Sequence, residues 1–224
     1  HFQAGQYVQV HLPGMETSRA FSIANSPQQI LATGEVELNV RLLAGGEATT
    51  YMHEQLQVAD KVRISGPYGR FFVRKSAPNP MVFMAGGSGL SSPRSMIEDL
   101  LAEGSEIPIT LIYGQRYKNE LYYHQEFLEM AAKHTNFTYV PALSEPEDSV
   151  DWTGATGFVH EVAKQHFNNN FSGHKAYLCG PPVMIEACIS TLMQGRLFER
   201  DIYTEKFLSA ADVTEQRSPL FKRV

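Results

Sequence analysis

The 224-residue chain contains only two cysteines, Cys179 and Cys188. Two thiols cannot ligate a cysteine-bound iron–sulfur cluster or build a disulfide framework, so a reducing compartment, the cytoplasm, is expected. Lys and Arg number 19 against 24 Asp and Glu, a net charge of -5 with no basic run, which excludes the footprint of a nucleic-acid binder. No apolar segment approaches the roughly 20 residues of a membrane helix. The eight histidines show no H-E-x-x-H or related spacing, and no metal site is expected. There is no internal repeat and no low-complexity segment. What is present is ordinary for a globular protein: 43% hydrophobic residues, 17 glycines and 12 prolines, enough to bury a core in one or two domains. The opening "HFQAGQYVQV" reads as the inside of a strand, so a truncated first strand is expected.

The chain divides by period. Up to about residue 76 apolar residues alternate. In "EVELNVRLL" Val36, Leu38, Val40 and Leu42 face one way and Glu35, Glu37, Asn39 and Arg41 the other, which predicts a half-buried antiparallel strand. "YVQVHL" and "KVRIS" alternate likewise, and only "TTYMHEQL" at 49–56 reads as helix. Short strands punctuated by Gly and Pro predict a small antiparallel β-barrel. After "SAPNP", at 76–80, unbroken apolar strands alternate with amphipathic helices. "MVFMA", "ITLIY", a strand near 137–142, "AYLC" and "DIYTE" predict a doubly wound α/β fold with about five parallel strands. The expected organisation is a barrel at 1–76, an α/β domain at 80–208 and a tail at 209–224.

"MVFMAGGSGLSSPRS" carries the first strand of the second half into a helix, with Ser92 placed to cap and Pro93 at the first helical position. A glycine turn there suits an anion, because a helix N-terminus offers unpaired N–H groups. The dinucleotide fingerprint G-x-G-x-x-G is broken by Ser92. The acid that such folds place about 20 residues on, for a ribose, is missing: Tyr113, Gly114, Gln115 and Arg116 occupy the place. A nucleophile elbow, G-x-S-x-G around Ser88, fails at Leu90, and no histidine follows His174. A turn whose glycines only relieve strain is the remaining reading.

Two further stretches, "RAFSIAN" at 19–25 and "CGPP" at 179–182, together with "AGGSGLS" and "YGQR", resemble the ferredoxin–NADP reductase superfamily over nearly the whole chain. In that family an antiparallel barrel binds a flavin and an α/β domain binds a nicotinamide dinucleotide. "DWTGATGFVHEVAKQHF", "KAYLCGPPVMIEAC", "GRLFERDIYTEKFLSAAD" and "RSPLFKRV" are similar to the reductase component of multicomponent phenol hydroxylases, in which an N-terminal ferredoxin domain precedes these two.

The resemblance implies roles residue by residue. In "RAFS" Arg19 would pair with the flavin pyrophosphate, Ala20 and Phe21 would line the flavin, and Ser22 would hydrogen-bond near its N5. The family's usual Tyr is Phe21 here, without the hydroxyl. Val40 and Arg41 match the second flavin-lining strand, and Gly46, Ala48, Thr49 and Thr50 match the turn and helix start that hold the pyrophosphate. Gly87, Ser88, Gly89 and Leu90 would receive the dinucleotide diphosphate, and Arg116 the adenosine ribose. Cys179, Gly180, Pro181 and Pro182 would flank the nicotinamide. Glu205 and Phe207 match the segment that covers the flavin. Ser22, Cys179 and Glu205 are the candidates for orienting the reaction. Blander readings stand beside these: Arg19 in a surface ion pair, Phe21 and Cys179 as core, Thr49 as a cap.

The implied function is electron transfer from NADH through FAD to a two-iron two-sulfur cluster on the ferredoxin domain of the same full-length protein, and on to a di-iron hydroxylase component. Arg116 and Lys118 leave NADPH open. The flavin domain of a sodium-pumping NADH–quinone reductase is a rival of the same class, and a non-catalytic nucleotide-binding regulator a rival of another.

Overall fold

The computed structural model describes residues 2–146 and 151–207; the tail expected at 209–224 lies outside them. The first half is built on β1 (Tyr7–His11), which pairs antiparallel with β2 (Arg19–Ser22) and β3 (Arg63–Tyr68) in the order β2-β1-β3. The alternation in "YVQVH" sends Val8 and Val10 inward, where they pack with Leu12, Ile23 and Ala48.

The strand expected in "EVELNVRLL" is reduced to one bridge, Leu38 to Ile23. Its polar face is divided: Glu37 and Asn39 reach across to the second half, Glu35 and Arg41 stay exposed, and Val36, Leu42 and Leu43 are exposed as well. The antiparallel part is therefore, among the described residues, a small three-stranded sheet with that bridge beside it. A helix that the apolar pattern did not suggest, α1 (Pro27–Thr33), precedes the bridge. Its signal is local: Ser26 and Gln29 form a reciprocal capping box and Pro27 opens the helix. The expected short helix is α2 (Glu47–Glu54).

The second half is a parallel sheet of six strands in the order β7-β6-β5-β4-β8-β9. They are β4 (Met81–Gly86), β5 (Ile109–Gln115), β6 (Phe137–Leu143), β7 (Ala155–Thr156), β8 (Lys175–Gly180) and β9 (Ile202–Lys206). The sixth, β7, is two residues long in "DWTGATG", too short for any periodicity to mark. Helices α3 (Ser91–Ala102) and α4 (His124–Lys133) cover one face, α5 (Val159–His166) and α6 (Pro182–Gln194) the other. That double cover explains the unbroken apolar strands: Phe83 and Ala85 pack toward α3, Val82 and Met84 toward α6. Phe83 stacks on Tyr177 at 5.0 Å and Tyr177 on Tyr203 at 5.0 Å, and each such side chain contributes roughly 1.5–3 kcal/mol by burial.

The chain leaves β4 toward β5 and β6 and returns to β8 on the other side of β4. Neighbouring connections thus part company at β4, and such a switch point opens a crevice at the carboxyl ends of the strands. The two halves are joined across it by the start of α3. Ser92 does not cap that helix: a 3-10 turn over Gly87–Leu90 leads into it and Leu90 is the cap residue. The hydroxyls of "SSPRS" are buried, and two of them reach the seam. Ser92 Oγ lies 3.3 Å from the Gly5 carbonyl oxygen and Ser95 Oγ donates to the Asn25 carbonyl at 2.8 Å.

Candidate functional site

A cleft of about 870 Å³ lies where the halves meet, within the roughly 300–1,000 Å³ range of small-molecule sites. One wall is β2 with residues Ala20, Phe21 and Ser22, together with Asn39, Arg41, Leu43 and Thr49. The other is made of strand ends: Gly86, Gly87 and Ser88 after β4, Gly114 to Arg116 at β5, Pro181, Val183 and Met184 after β8, and Glu205 to Phe207 at β9. Gly157, Phe158, Val159 and His160 close it at the start of α5.

The glycine turn is shaped for close approach. Gly87 has φ +59°, a left-handed conformation that favours glycine, and a Cβ added there would find only Arg41 Nη1, at 3.7 Å. Gly89 faces the other way: a Cβ there would stand 2.5 Å from the Cys179 carbonyl oxygen, so its bareness lets the turn lie on β8. Arg41 makes no ion pair or hydrogen bond among the described residues, which leaves its guanidinium free toward the cleft. Arg116 and Lys206 add two cations, tethered to Glu120 and Glu186. Helix-start amides, an unpaired guanidinium and glycine without bulk fit the diphosphate of a dinucleotide, and the apolar strip of Ala20, Phe21 and Leu43 fits a flat ring system.

At the back of the cleft Glu205 draws three side chains together. Its Oε2 accepts from Ser92 Oγ at 2.9 Å and from Ser22 Oγ at 3.2 Å, with Cys179 Sγ at 3.8 Å. Burial raises the Glu205 carboxyl above its ordinary value, and the three donors only partly offset this. Burial, with the Glu205 carboxyl beside it, pushes the Cys179 thiol well above the usual range, so it is no thiolate nucleophile. The three candidates Ser22, Cys179 and Glu205 therefore form one hydrogen-bonded string.

Of the sequence-derived residues, Ala20, Phe21, Ser22, Arg41, Thr49, Gly87, Ser88, Arg116, Pro181, Glu205 and Phe207 line the cleft. Others do not. Arg19 is exposed, stands outside the lining and folds onto Thr17 and the Ser18 carbonyl. Thr49, though it lines the cleft, has its Oγ1 engaged internally, accepting from Leu43 N–H and donating to the Gly46 carbonyl. Ala48 and Leu90 are core, and Thr50 lines a separate shallow depression with Pro13 and Tyr51. Cys179 is fully buried behind the wall, and the Gly180 carbonyl accepts from Phe207 N–H at 3.0 Å, fixing the last strand. Val40, Gly46, Gly89 and Pro182 also stand outside the lining. Tyr7, Asn39, Ser91, Ser144 and the 157–160 run line the cleft without having been read from the sequence. The "TGFVH" spelling was the available signal for the last of these.

Residues 1–73 match the oxidoreductase FAD-binding domain family and residues 83–189 the oxidoreductase NAD-binding domain family. The chain is 57% identical over 225 residues to the reductase component DmpP of phenol 2-monooxygenase from Pseudomonas sp. (strain CF600), covering 100% of this chain and 63% of that protein. It is 37% identical over 208 residues to one component of the Na(+)-translocating NADH-quinone reductase of Shewanella denitrificans, covering 86% of this chain and 49% of the other. Among solved structures, the Amycolatopsis cytochrome P450 reductase GcoB superposes with a TM-score of 0.83 at 32% identity, over 92% of this chain and 61% of that one. The chain thus spans less than two thirds of the length of each of these relatives.

Proposed function

The chain belongs to the ferredoxin reductase family of FAD- and NAD-binding oxidoreductases, and on that premise we propose that it carries electrons from NADH through FAD to a two-iron two-sulfur cluster and on to the di-iron component of a phenol hydroxylase. The observation that carries this reading is the meeting of the two matched segments in one cleft, with Ser22 of the first bonded to Glu205 on β9, the edge strand of the parallel sheet.

In this reading Ala20, Phe21 and Ser22 seat the flavin ring, and Arg41, facing the start of the glycine turn, meets phosphate. Gly87 and Ser88 admit the NADH diphosphate, Arg116 meets its adenosine ribose, and Pro181 with Phe207 flanks the nicotinamide. Gly46, Ala48 and Thr49 shape the wall by fixing the start of α2, and Gly89, Leu90, Cys179, Gly180 and Pro182 hold the turn against β8. Arg19 and Thr50 serve the outer, pyrophosphate-bearing end. FAD, when bound, accepts a pair of electrons as hydride and releases them one at a time. The chain's own part is to orient, to exclude water, and to hold the Glu205 carboxyl within hydrogen-bond reach of Ser22 Oγ.

The cluster is assigned to a ferredoxin domain of the full-length protein, in keeping with relatives longer than this chain, and the location to the cytoplasm. No helix among the described residues is long and apolar enough to cross a membrane. The sodium-pump reading is disfavoured by 37% identity against 57%. A non-catalytic regulator is disfavoured by the same cleft, which retains both a ring-sized wall and an anion turn. The test is coupling: full-length protein mixed with its di-iron component is expected to oxidise NADH in step with phenol hydroxylation. NADH oxidation that serves only membrane quinone would overturn the phenol hydroxylase assignment.

A further inference from the structure

Arg94 lies on α3, the helix that the glycine turn feeds, and only 6% of it is exposed. A guanidinium this deep must have its donors paired. Nη1 meets Glu37 Oε2 at 2.8 Å and the Ala24 carbonyl at 3.4 Å, both in the first half. Nε meets Glu98 Oε1 at 3.0 Å on its own helix, and Nη2 meets Glu126 Oε2 at 3.4 Å on α4. The plane of the group lies over the Tyr123 ring, 3.8 Å from its centroid. One side chain thereby gathers three carboxylates, a carbonyl and a ring from both halves.

The cluster reaches the cleft through two relays. The Tyr123 hydroxyl sits between Glu37 Oε1 and Asn39 Oδ1, and Asn39 Nδ2 donates to Ser91 Oγ at 3.0 Å. Asn39 and Ser91 line the cleft; Arg94 does not. Apolar packing under α3 holds the helix on its own sheet and brings Met96 into one cluster with Ala4 and Phe71 of the first half, but a non-directional contact of that kind sets no single angle. A planar fork paired at fixed geometry does, because it accepts one orientation of its partners.

Resting on the NADH–FAD reading, we propose that Arg94 is a positioning residue: through Glu37 and Ala24 it fixes the angle between the half carrying Ser22 and the half carrying the glycine turn, and so the approach of nicotinamide to flavin. It touches neither cofactor. In the full-length protein, Arg94→Met is expected to lower the limiting rate of flavin bleaching by NADH by about 10- to 100-fold, the scale of a misplacement near 1 Å. FAD content is retained and the NADH dissociation constant moves less than about threefold, since the turn itself is untouched. Arg94→Lys keeps the charge without the fork and recovers part of the rate. Glu37→Gln, which leaves the pair of Arg94 with Glu98 in place, gives a smaller loss in the same direction.

A second readout needs no cofactor. In FAD-free protein, hydrogen exchange across residues 24–39 quickens in Arg94→Met and Glu37→Gln, while exchange in β4 and β8 stays at the wild-type level. Wild-type bleaching and exchange in both variants, or exchange quickened throughout β4 and β8, would overturn the proposal. Wild-type protein that NADH does not bleach would defeat the NADH–FAD reading instead, and the exchange comparison would still judge the clamp.

Discussion

Ser22 Oγ lies 3.2 Å from Glu205 Oε2, so β2 and β9, 183 positions apart in sequence, meet in one hydrogen bond at the back of the cleft. Replacing Glu205 by Gln keeps the shape and removes the proton acceptor. Glu205→Gln is expected to slow reduction of bound FAD by NADH by about 10- to 100-fold, and Ser22→Ala by less. The double variant should fall short of the product of the two, since the residues share one bond. Stopped-flow absorbance checks this, and unchanged rates in both single variants would remove the pair from the chemistry.

The glycine turn offers a steric test. A Cβ at Gly89 would stand 2.5 Å from the Cys179 carbonyl oxygen and 2.7 Å from its carbon, and the backbone of β8 yields less readily than a side-chain end. Gly89→Ala is expected to cost about 1–3 kcal/mol in stability. NADH affinity should fall more than FAD affinity, because the turn must lift away from β8. Thermal melting and NADH titration measure the two effects; a variant with wild-type NADH affinity would contradict the assignment of the turn.

Glu98 makes stability depend on pH. Burial drives its carboxyl from 4.5 to about 7 against the pull of Arg94, and its Oε2 has no hydrogen-bond partner. Between those two values the folded state holds a proton that the unfolded chain has lost, so stability falls as pH rises from about 4.5 to about 7 and then levels. Glu205, also raised, adds in the same direction. Glu98→Gln is expected to remove a part of the fall on the order of 3 kcal/mol. Urea unfolding at pH 5 and pH 8 reads it directly; equal slopes in variant and wild type would contradict the burial of that charge.

Cofactor choice is expected to follow an acid from an unexpected strand. The Tyr117 hydroxyl donates to Glu145 Oε2 at 2.7 Å, and Glu145 N–H to the Arg116 carbonyl at 3.1 Å, so a carboxylate from beyond β6 stands beside the end of β5. A 2′-phosphate there would meet like charge. NADH is expected to exceed NADPH in kcat/KM by about tenfold or more, and Glu145→Gln to narrow the gap. A wild-type preference for NADPH would sink this.

The same residue shows where sequence reading reached its limit. The spacing rule looks for an acid at the end of β5, and strand pairing delivered one from the next strand over, a juxtaposition no linear spacing contains. The class of each half was legible because burial on two faces writes an unbroken apolar run, as in "MVFMA", and burial on one face writes alternation, as in "YVQVH". "EVELNVRLL" shows the limit of that rule: Arg94 and Tyr123 engage its polar Glu37 and Asn39 while its apolar Val36 and Leu42 are exposed, so alternation records chemistry rather than exposure. Ser92 has the spelling of a cap because serines before a helix usually are one; the packed seam shows its hydroxyl turned to Glu205 and Ser95's to the other half. In the site, Ala20, Phe21, Ser22, Gly87, Ser88 and Ser91 line the cleft from short motifs, Arg19, Cys179 and Gly180 of such motifs stand outside the lining, and Asn39 and Tyr7 enter it through tertiary packing.

Reduction by NADH of FAD held in this cleft is the central claim. Anaerobic titration of the FAD-loaded protein with NADH, followed in the visible flavin band, measures it directly. The prediction is loss of the band at one NADH per FAD. Protein that takes up no FAD, or whose FAD stays oxidised under excess NADH, would contradict it.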